Sequence, residues 1–105
     1  MKKILVVEDD NNELKFCVKA LRKLNKDIYV VTAHSAEEAL SYLNHNQSNI
    51  DGAFIDIGLP GIDGFSLAAK IRDMEKYHLL PIVFETATHN DFPETYKQFT
   101  ISIIL

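Results

Sequence analysis

The sequence predicts an α/β fold: a doubly wound, five-stranded parallel sheet with helices on both faces. Three observations carry that expectation. Short runs of consecutive apolar, β-branched residues recur along the chain, as strands buried on both faces require. Between them lie segments whose apolar residues repeat at three and four, the mark of an amphipathic helix. The two kinds of segment alternate, which is how parallel strands joined by crossover helices read in sequence. With 105 residues there is room for one core and no second domain.

Each element follows in order. Lys3-Ile4-Leu5-Val6-Val7 is a doubly buried strand that ends in the acids Glu8-Asp9-Asp10. Leu14, Cys17, Val18, Leu21 and Leu24 then line one face of a helix of about four turns, with Lys15, Lys19, Arg22 and Lys23 opposite. Ile28–Thr32 is the second strand. Ser35 opens the second helix, and Glu38 three residues on completes a capping-box pattern. Ala36, Ala39, Leu40 and Leu43 form its inner face, and the polar run 44–49 is a loop. Gly52–Ile55 is a third strand that ends at Asp56. In the turn that follows, Pro60 restricts Leu59, and Gly61 and Gly64 can take positive φ. Leu67, Ala68, Ile71 and Met74 mark the third helix, and Pro81–Phe84 the fourth strand. Residues 93–99 form a weaker helix, with Pro93 in its first turn. Ile101–Leu105 is the fifth strand. The favoured strand order is 2-1-3-4-5.

Composition narrows the function. A content of 47% hydrophobic and 25% charged residues is that of a globular domain and argues against disorder. No apolar run approaches the ~20 residues of a membrane span. The lysines before Ile4 do not begin a signal peptide, because acids follow the apolar run at once. A net charge of −4 argues against direct nucleic-acid binding. The single Cys17 excludes a disulfide framework and a multi-cysteine zinc site. A cytoplasmic location is expected. Cys17 is read as core, and His34, His45, His78 and His89 as surface residues without ligand spacing. Glu85, an acid in an apolar strand, is expected on the fourth-helix side, toward solvent or a partner.

In a doubly wound sheet, ligands bind beyond the carboxyl ends of the strands, where the strand order reverses. The first strand ends in Glu8-Asp9, the third in Asp56 and the fourth near Thr86. If the first and third strands are neighbours, three carboxylates converge. Their repulsion raises at least one pKa unless a cation intervenes. Oxygen ligands of this kind suit Mg²⁺. A carboxylate beside Mg²⁺ is a nucleophile toward phosphorus. The Thr86 hydroxyl and the Ala87 N–H can each meet a phosphoryl oxygen. The alternative is a set of strand-end acids, each solvated separately, with Thr86 an ordinary β-branched strand end.

The segments Ile4–Asp10, Ile55–Gly64 and Pro81–Ala87 resemble, in order and spacing, the receiver domain of two-component response regulators, a CheY-like, flavodoxin-like fold. The resemblance covers essentially the whole chain. It implies that Asp56 accepts a phosphoryl group from a sensor histidine kinase. It implies Mg²⁺ held by Glu8, Asp9, Asp56 and the carbonyl of Gly58, with Thr86 and Ala87 binding the phosphoryl group and Thr86 acting as the switch hydroxyl. Hydrolysis of the acyl phosphate would be slow, so the chain is not expected to be a multiple-turnover enzyme.

Receivers also carry a lysine after the fifth strand, which here falls just past Leu105, and a final helix. The chain is therefore read as a receiver domain over residues 1–105, incomplete at its C-terminus: a piece of a longer regulator, the preferred expectation, or a naturally short receiver. Lys97, on the expected helix, is read as solvated, and Ile103 stands where an aromatic switch residue is common. The uncovered apolar strand is expected to favour a homodimer. The short interval after Thr86 resembles receivers joined to LytTR-type DNA-binding output domains, so the parent is expected to regulate transcription. A competing reading is a pseudo-receiver, or inert fragment, that binds proteins without phosphorylation. A Mg²⁺-dependent phosphatase is disfavoured, because Gly58 stands where that chemistry commonly places a second aspartate.

Overall fold

In the computed structural model the described residues are 2–45, 47–85 and, as backbone, 102–104. The order is β1 (Lys2–Val7), α1 (Asn11–Leu24), β2 (Ile28–Ala33), α2 (Ala36–Leu43), β3 (Gly52–Asp56) and α3 (Gly64–Arg72). A 3-10 turn at Glu75–Tyr77, β4 (Ile82–Glu85) and β5 (Ser102–Ile104) complete it. The expected helix over 93–99, together with Thr86, Ala87, His89 and Lys97, lies outside the described residues.

The strand order is β2-β1-β3-β4-β5, as the sequence predicts. The first four strands are parallel. Val7 pairs with Ala33 on one side and with Ile55 on the other, and Asp56 pairs with Glu85. Leu5, Val6 and Val7 are all fully buried, which is why the run is apolar without alternation. The fifth strand departs from expectation: β5 runs antiparallel to β4, with Ile82 opposite Ile104 and Phe84 opposite Ser102. A short apolar run carries no directional signal, and the free edge of β4 offers hydrogen bonds to a strand of either sense.

Two apolar layers flank the sheet. Leu5, Val7, Ile55 and Phe84 face α2 and α3, and pack on Ala39, Leu43, Leu67 and Ile71. Val6 and Phe54 face α1, and pack on Leu14, Cys17 and Leu21. Cys17 is buried, as expected. His34, His45 and His78 are exposed.

The helix starts are set by side chains. Asp10 Oδ1 accepts from the N–H groups of Asn12 at 2.8 Å and Glu13 at 3.0 Å. Asp63 Oδ1 accepts from Ser66 N–H at 2.8 Å. Ser35 Oγ accepts from Glu38 N–H at 3.0 Å, but the return half of the capping box goes elsewhere. Glu38 Oε2 instead accepts from His34 N–H, one residue earlier. Met74 lies past the end of α3, where its N–H donates to Ile71 O. The loop after α2 is anchored inside the protein: buried Ser48 donates to Leu43 O and lies 3.0 Å from the Tyr77 hydroxyl. Among the described residues no helix is long and apolar enough to cross a membrane.

Candidate functional site

The strand order reverses at β1. The chain moves from β1 outward to β2, then returns to place β3 on the other side of β1. Helices that leave β1 and β3 pack on opposite faces, so the carboxyl ends of these two strands are left open. Residues alternate faces along a strand. Val6 faces α1, so Glu8 does too. Phe54 faces α1, so Asp56 follows, and its register partner Glu85 falls on the same side.

The backbone holds each acid at the last rung of the sheet. Glu8 N–H donates to Ala33 O at 3.0 Å, and Ile57 N–H donates to Glu85 O at 3.0 Å. Asp56 Oδ1 accepts from Gly58 N–H at 3.0 Å. The turn beyond it is tight. Gly61 has φ +77°, as its position predicts. Gly64 does not have positive φ. Its need for glycine is steric instead, because a Cβ there would sit 2.8 Å from Ile57 Cα and collide with the carbonyl oxygen of Asp56. Loss of the side chain lets α3 start directly against the end of β3.

Glu8, Asp9 and Asp56 converge: one oxygen from each lies within 4.8 Å of the others. Asp9 is exposed, whereas Glu8 and Asp56 are 1% and 4% exposed. Burial pushes the Glu8 carboxyl up to about 9. The neighbouring Asp56 carboxyl and then Asp9 push it further the same way, and the N–H of Asp10 pulls weakly against them. Glu8 Oε1 is buried with no hydrogen-bond partner among the described residues. An acceptor-only oxygen cluster with one orphaned lone-pair site fits a hard divalent cation. The expected convergence of the three acids is therefore present, and Gly58 is placed against Asp56.

Glu85 is where the sequence misleads. It is not turned to solvent, and the expected fourth helix lies outside the described residues. It is 4% exposed and turned toward α1, where its carboxyl approaches those of Glu8 and Glu13 within 4.8 Å. Burial, then the charges of Asp56 and Glu13, push it up to about 7. Cys17 lies beside the same group, and burial followed by Glu85, Glu8 and Glu13 pushes its thiol up to about 12. Two-residue periodicity from Val83, combined with the β3–β4 register, is the signal that places Glu85.

The chain is similar to known proteins in sequence and in fold. A 75-residue stretch is 41% identical to Histidine kinase 3 of Arabidopsis thaliana, taking in 71% of this chain and 7% of that protein. Response regulator Rre1 of Synechocystis is 32% identical over 83 residues, 79% of this chain and 35% of that protein. The chain thus spans a minor part of either relative. The solved structure of response regulator TrrA from Thermotoga maritima, in complex with Mg²⁺ and BeF, matches with a TM-score of 0.72 and 34% identity. That match covers 84% of this chain and 71% of the other. The family model of the response regulator receiver domain runs over residues 4–102. It takes in every strand end that contributes a carboxylate, and the chain belongs to that family.

Proposed function

We propose that Asp56 accepts a phosphoryl group from a sensor histidine kinase, at a Mg²⁺ site formed by Glu8, Asp9, Asp56 and the carbonyl of Gly58. Receiver domains are signalling modules of two-component systems, found in response regulators and histidine kinases. The observation that carries the residue assignment is the convergence of Glu8, Asp9 and Asp56 within 4.8 Å at the switch point of the sheet.

The chemistry follows from the placement of these groups. An Asp56 carboxylate oxygen attacks phosphorus and forms an acyl phosphate. The bond from phosphorus to the donor breaks, and the donor leaves with its electron pair. Gly58 N–H occupies Asp56 Oδ1 at 3.0 Å, which fixes the carboxylate rotamer and leaves the other oxygen for attack. Asp9, and Glu8 once it has lost its proton, supply negative charge that must be neutralised before a phosphoryl group can approach. A bound Mg²⁺ would supply that neutralisation and would stabilise the charge that develops on the phosphoryl oxygens. Glu8 carries its proton to about pH 9 without a cation, so loading the site displaces a proton from Glu8. The family pattern gives the remaining phosphoryl contacts to Thr86 and Ala87. An output domain, DNA-binding or otherwise, would read the switch in a longer parent chain.

Incubation with Mg²⁺ and acetyl phosphate, followed by intact-mass measurement, tests this. One phosphoryl adduct is expected on the wild type and none on Asp56→Asn. An unmodified wild type, or an adduct that survives in the variant, refutes the assignment. Absence of any adduct would leave the protein-binding module as the better account, and release of many phosphates per chain would mean a phosphatase.

A further inference from the structure

We propose that the outer edge of β2 is a self-association surface, on which a second copy of this chain pairs its own β2 antiparallel and continues the sheet across a two-fold axis at Val31. The inference does not rest on the phosphoryl-acceptor reading.

β2 is the last strand on its side of the sheet: β1 pairs with one edge, and no described strand pairs with the other. Along a strand the N–H and C=O of one residue point to the same side, and successive residues alternate. Ala33 O accepts from Glu8 N–H at 3.0 Å, so Tyr29, Val31 and Ala33 bond toward β1. Ile28, Val30 and Thr32 therefore aim their backbone groups away from the sheet. Ile28 N–H is taken by Asn25 O at 3.2 Å. Val30 and Thr32 each hold out an N–H and a C=O without a partner among the described residues.

Proteins normally guard such an edge with a lysine, a proline, a bulge or a very short strand. β2 has none of these over its six residues, Ile28–Ala33. They are uncharged and rich in the β-branched and aromatic side chains that favour pairing. An open groove of about 560 Å³ follows the strand, with Tyr29, Val31, Tyr42 and Lys3 in its lining. Tyr29 is 54% exposed.

Two features select a second copy as the occupant. The first is the backbone. Hydrogen-bonded antiparallel pairs join residues that both point outward. With Val31 on the axis, Val30 of each copy stands opposite Thr32 of the other, and all of their outward groups are satisfied. Val31 then meets Val31 of the second copy as a close, non-hydrogen-bonded pair. The second is charge. Arg22, Lys23 and Lys26 stand where the chain enters β2, against one acid, Asp27, and Glu37 and Glu38 stand where it leaves. All six are exposed. Antiparallel pairing sets the basic entry of one copy beside the acidic exit of the other, at both ends of an isologous interface. Parallel pairing would set like charge against like.

Sedimentation equilibrium on the purified chain, over a micromolar to millimolar series, tests the proposal. The wild type is expected in monomer–dimer equilibrium. Thr32→Pro removes one outward N–H from each copy and no bond to β1, an edge position that tolerates proline. It is expected to weaken the dimer about tenfold or more. Lys26→Glu is expected to weaken it too, and Lys26→Glu with Glu37→Lys to restore it. Val31→Cys is expected to cross-link to its own copy under mild oxidation, because Cα atoms in a non-hydrogen-bonded pair lie about 4.5 Å apart. Leu79→Cys, at a position 80% exposed, is not. Circular dichroism checks that each variant is folded, and the Lys26 variants serve even if Thr32→Pro disturbs the strand. A wild type that stays monomeric throughout overturns the proposal. So does undiminished dimerisation in Thr32→Pro or Lys26→Glu, which would place the contact elsewhere, as at the fifth strand. A folded Val31→Cys that does not cross-link overturns the register.

Discussion

In the absence of metal, the chain should lose stability as pH rises from 5 to 8, and Glu85→Gln should remove much of that loss. Glu85 titrates at 4.5 in an unfolded chain, but burial and the charges of Asp56 and Glu13 raise it to about 7 in the fold. Between those values the native state holds a proton that the unfolded state has released. The stabilising difference is therefore complete below 4.5, is lost as pH climbs, and levels off above about 7. At about 1.4 kcal/mol per tenfold change in proton affinity, the full loss is ~3 kcal/mol. For a domain of this size that lowers the melting temperature by on the order of 10–20 °C. Glu8 acts in the same direction over a wider window, up to about 9, so the comparison with Glu85→Gln isolates the Glu85 share. Urea denaturation in chelator, at intervals from pH 5 to 8, reads it directly. If the variant and the wild type show the same pH slope, the carboxyl is not desolvated as described and the reasoning fails. Saturating Mg²⁺ should flatten the Glu8 share of the wild-type slope, because the ion binds the deprotonated acid.

Three other outcomes are expected. Asp56→Asn should raise the unfolding free energy of the metal-free chain at pH 8 by on the order of 1–2 kcal/mol, since it removes a like charge that acts on both Glu8 and Glu85; a destabilised variant in chemical denaturation would contradict this. Gly64→Ala should destabilise by roughly 1–3 kcal/mol and weaken Mg²⁺ binding, because the new methyl meets backbone rather than movable side chain. Alanine otherwise favours a helix, so a neutral or stabilising result would show that the close approach to Asp56 and Ile57 is not there. Asp10→Ala should cost about 1 kcal/mol through loss of two N–H acceptors at the start of α1, and Asp10→Asn much less; equal losses in thermal melts would show that capping is not the cause.

Much of this architecture was legible because burial on both faces leaves an unambiguous trace. Leu5-Val6-Val7 and the run through Ile55 read as strands because neither face of the central sheet sees water. Leu14, Cys17 and Leu21 read as a helix face because they are one. Given two central strands that end in acids, the switch-point rule leads to Glu8, Asp9 and Asp56. The failures are equally physical. Gly64 looked like a turn glycine, but the constraint on it is a backbone approach across the β3–α3 connection, which no local pattern encodes. The direction of β5 is not written in Ser102-Ile103-Ile104, because either sense completes the edge ladder. Glu85 was taken to face outward on the premise that an acid seeks water. Its face is set instead by its register with Asp56, a long-range fact.

That register explains why the site is both unstable and useful. Parallel pairing of β1, β3 and β4 brings Glu8, Asp56 and Glu85 to the same edge and the same face of the sheet, and α1 closes over them from the side. Water that would otherwise solvate the carboxylates is excluded, so two of them hold protons well above their ordinary range. An apolar replacement at either position would pack more easily and strengthen the metal-free fold. On the proposed reading, the acids provide a large difference between loaded and unloaded states: a bound cation would relieve the repulsion and desolvation that weaken the empty domain. Relief of that kind is linkage. A ligand that binds the native site and not the unfolded chain stabilises the whole domain. A phosphoryl group added at Asp56 would change the charge among these acids, so its effect on the surrounding structure should depend on whether a cation fills the Glu8–Asp9–Asp56 site.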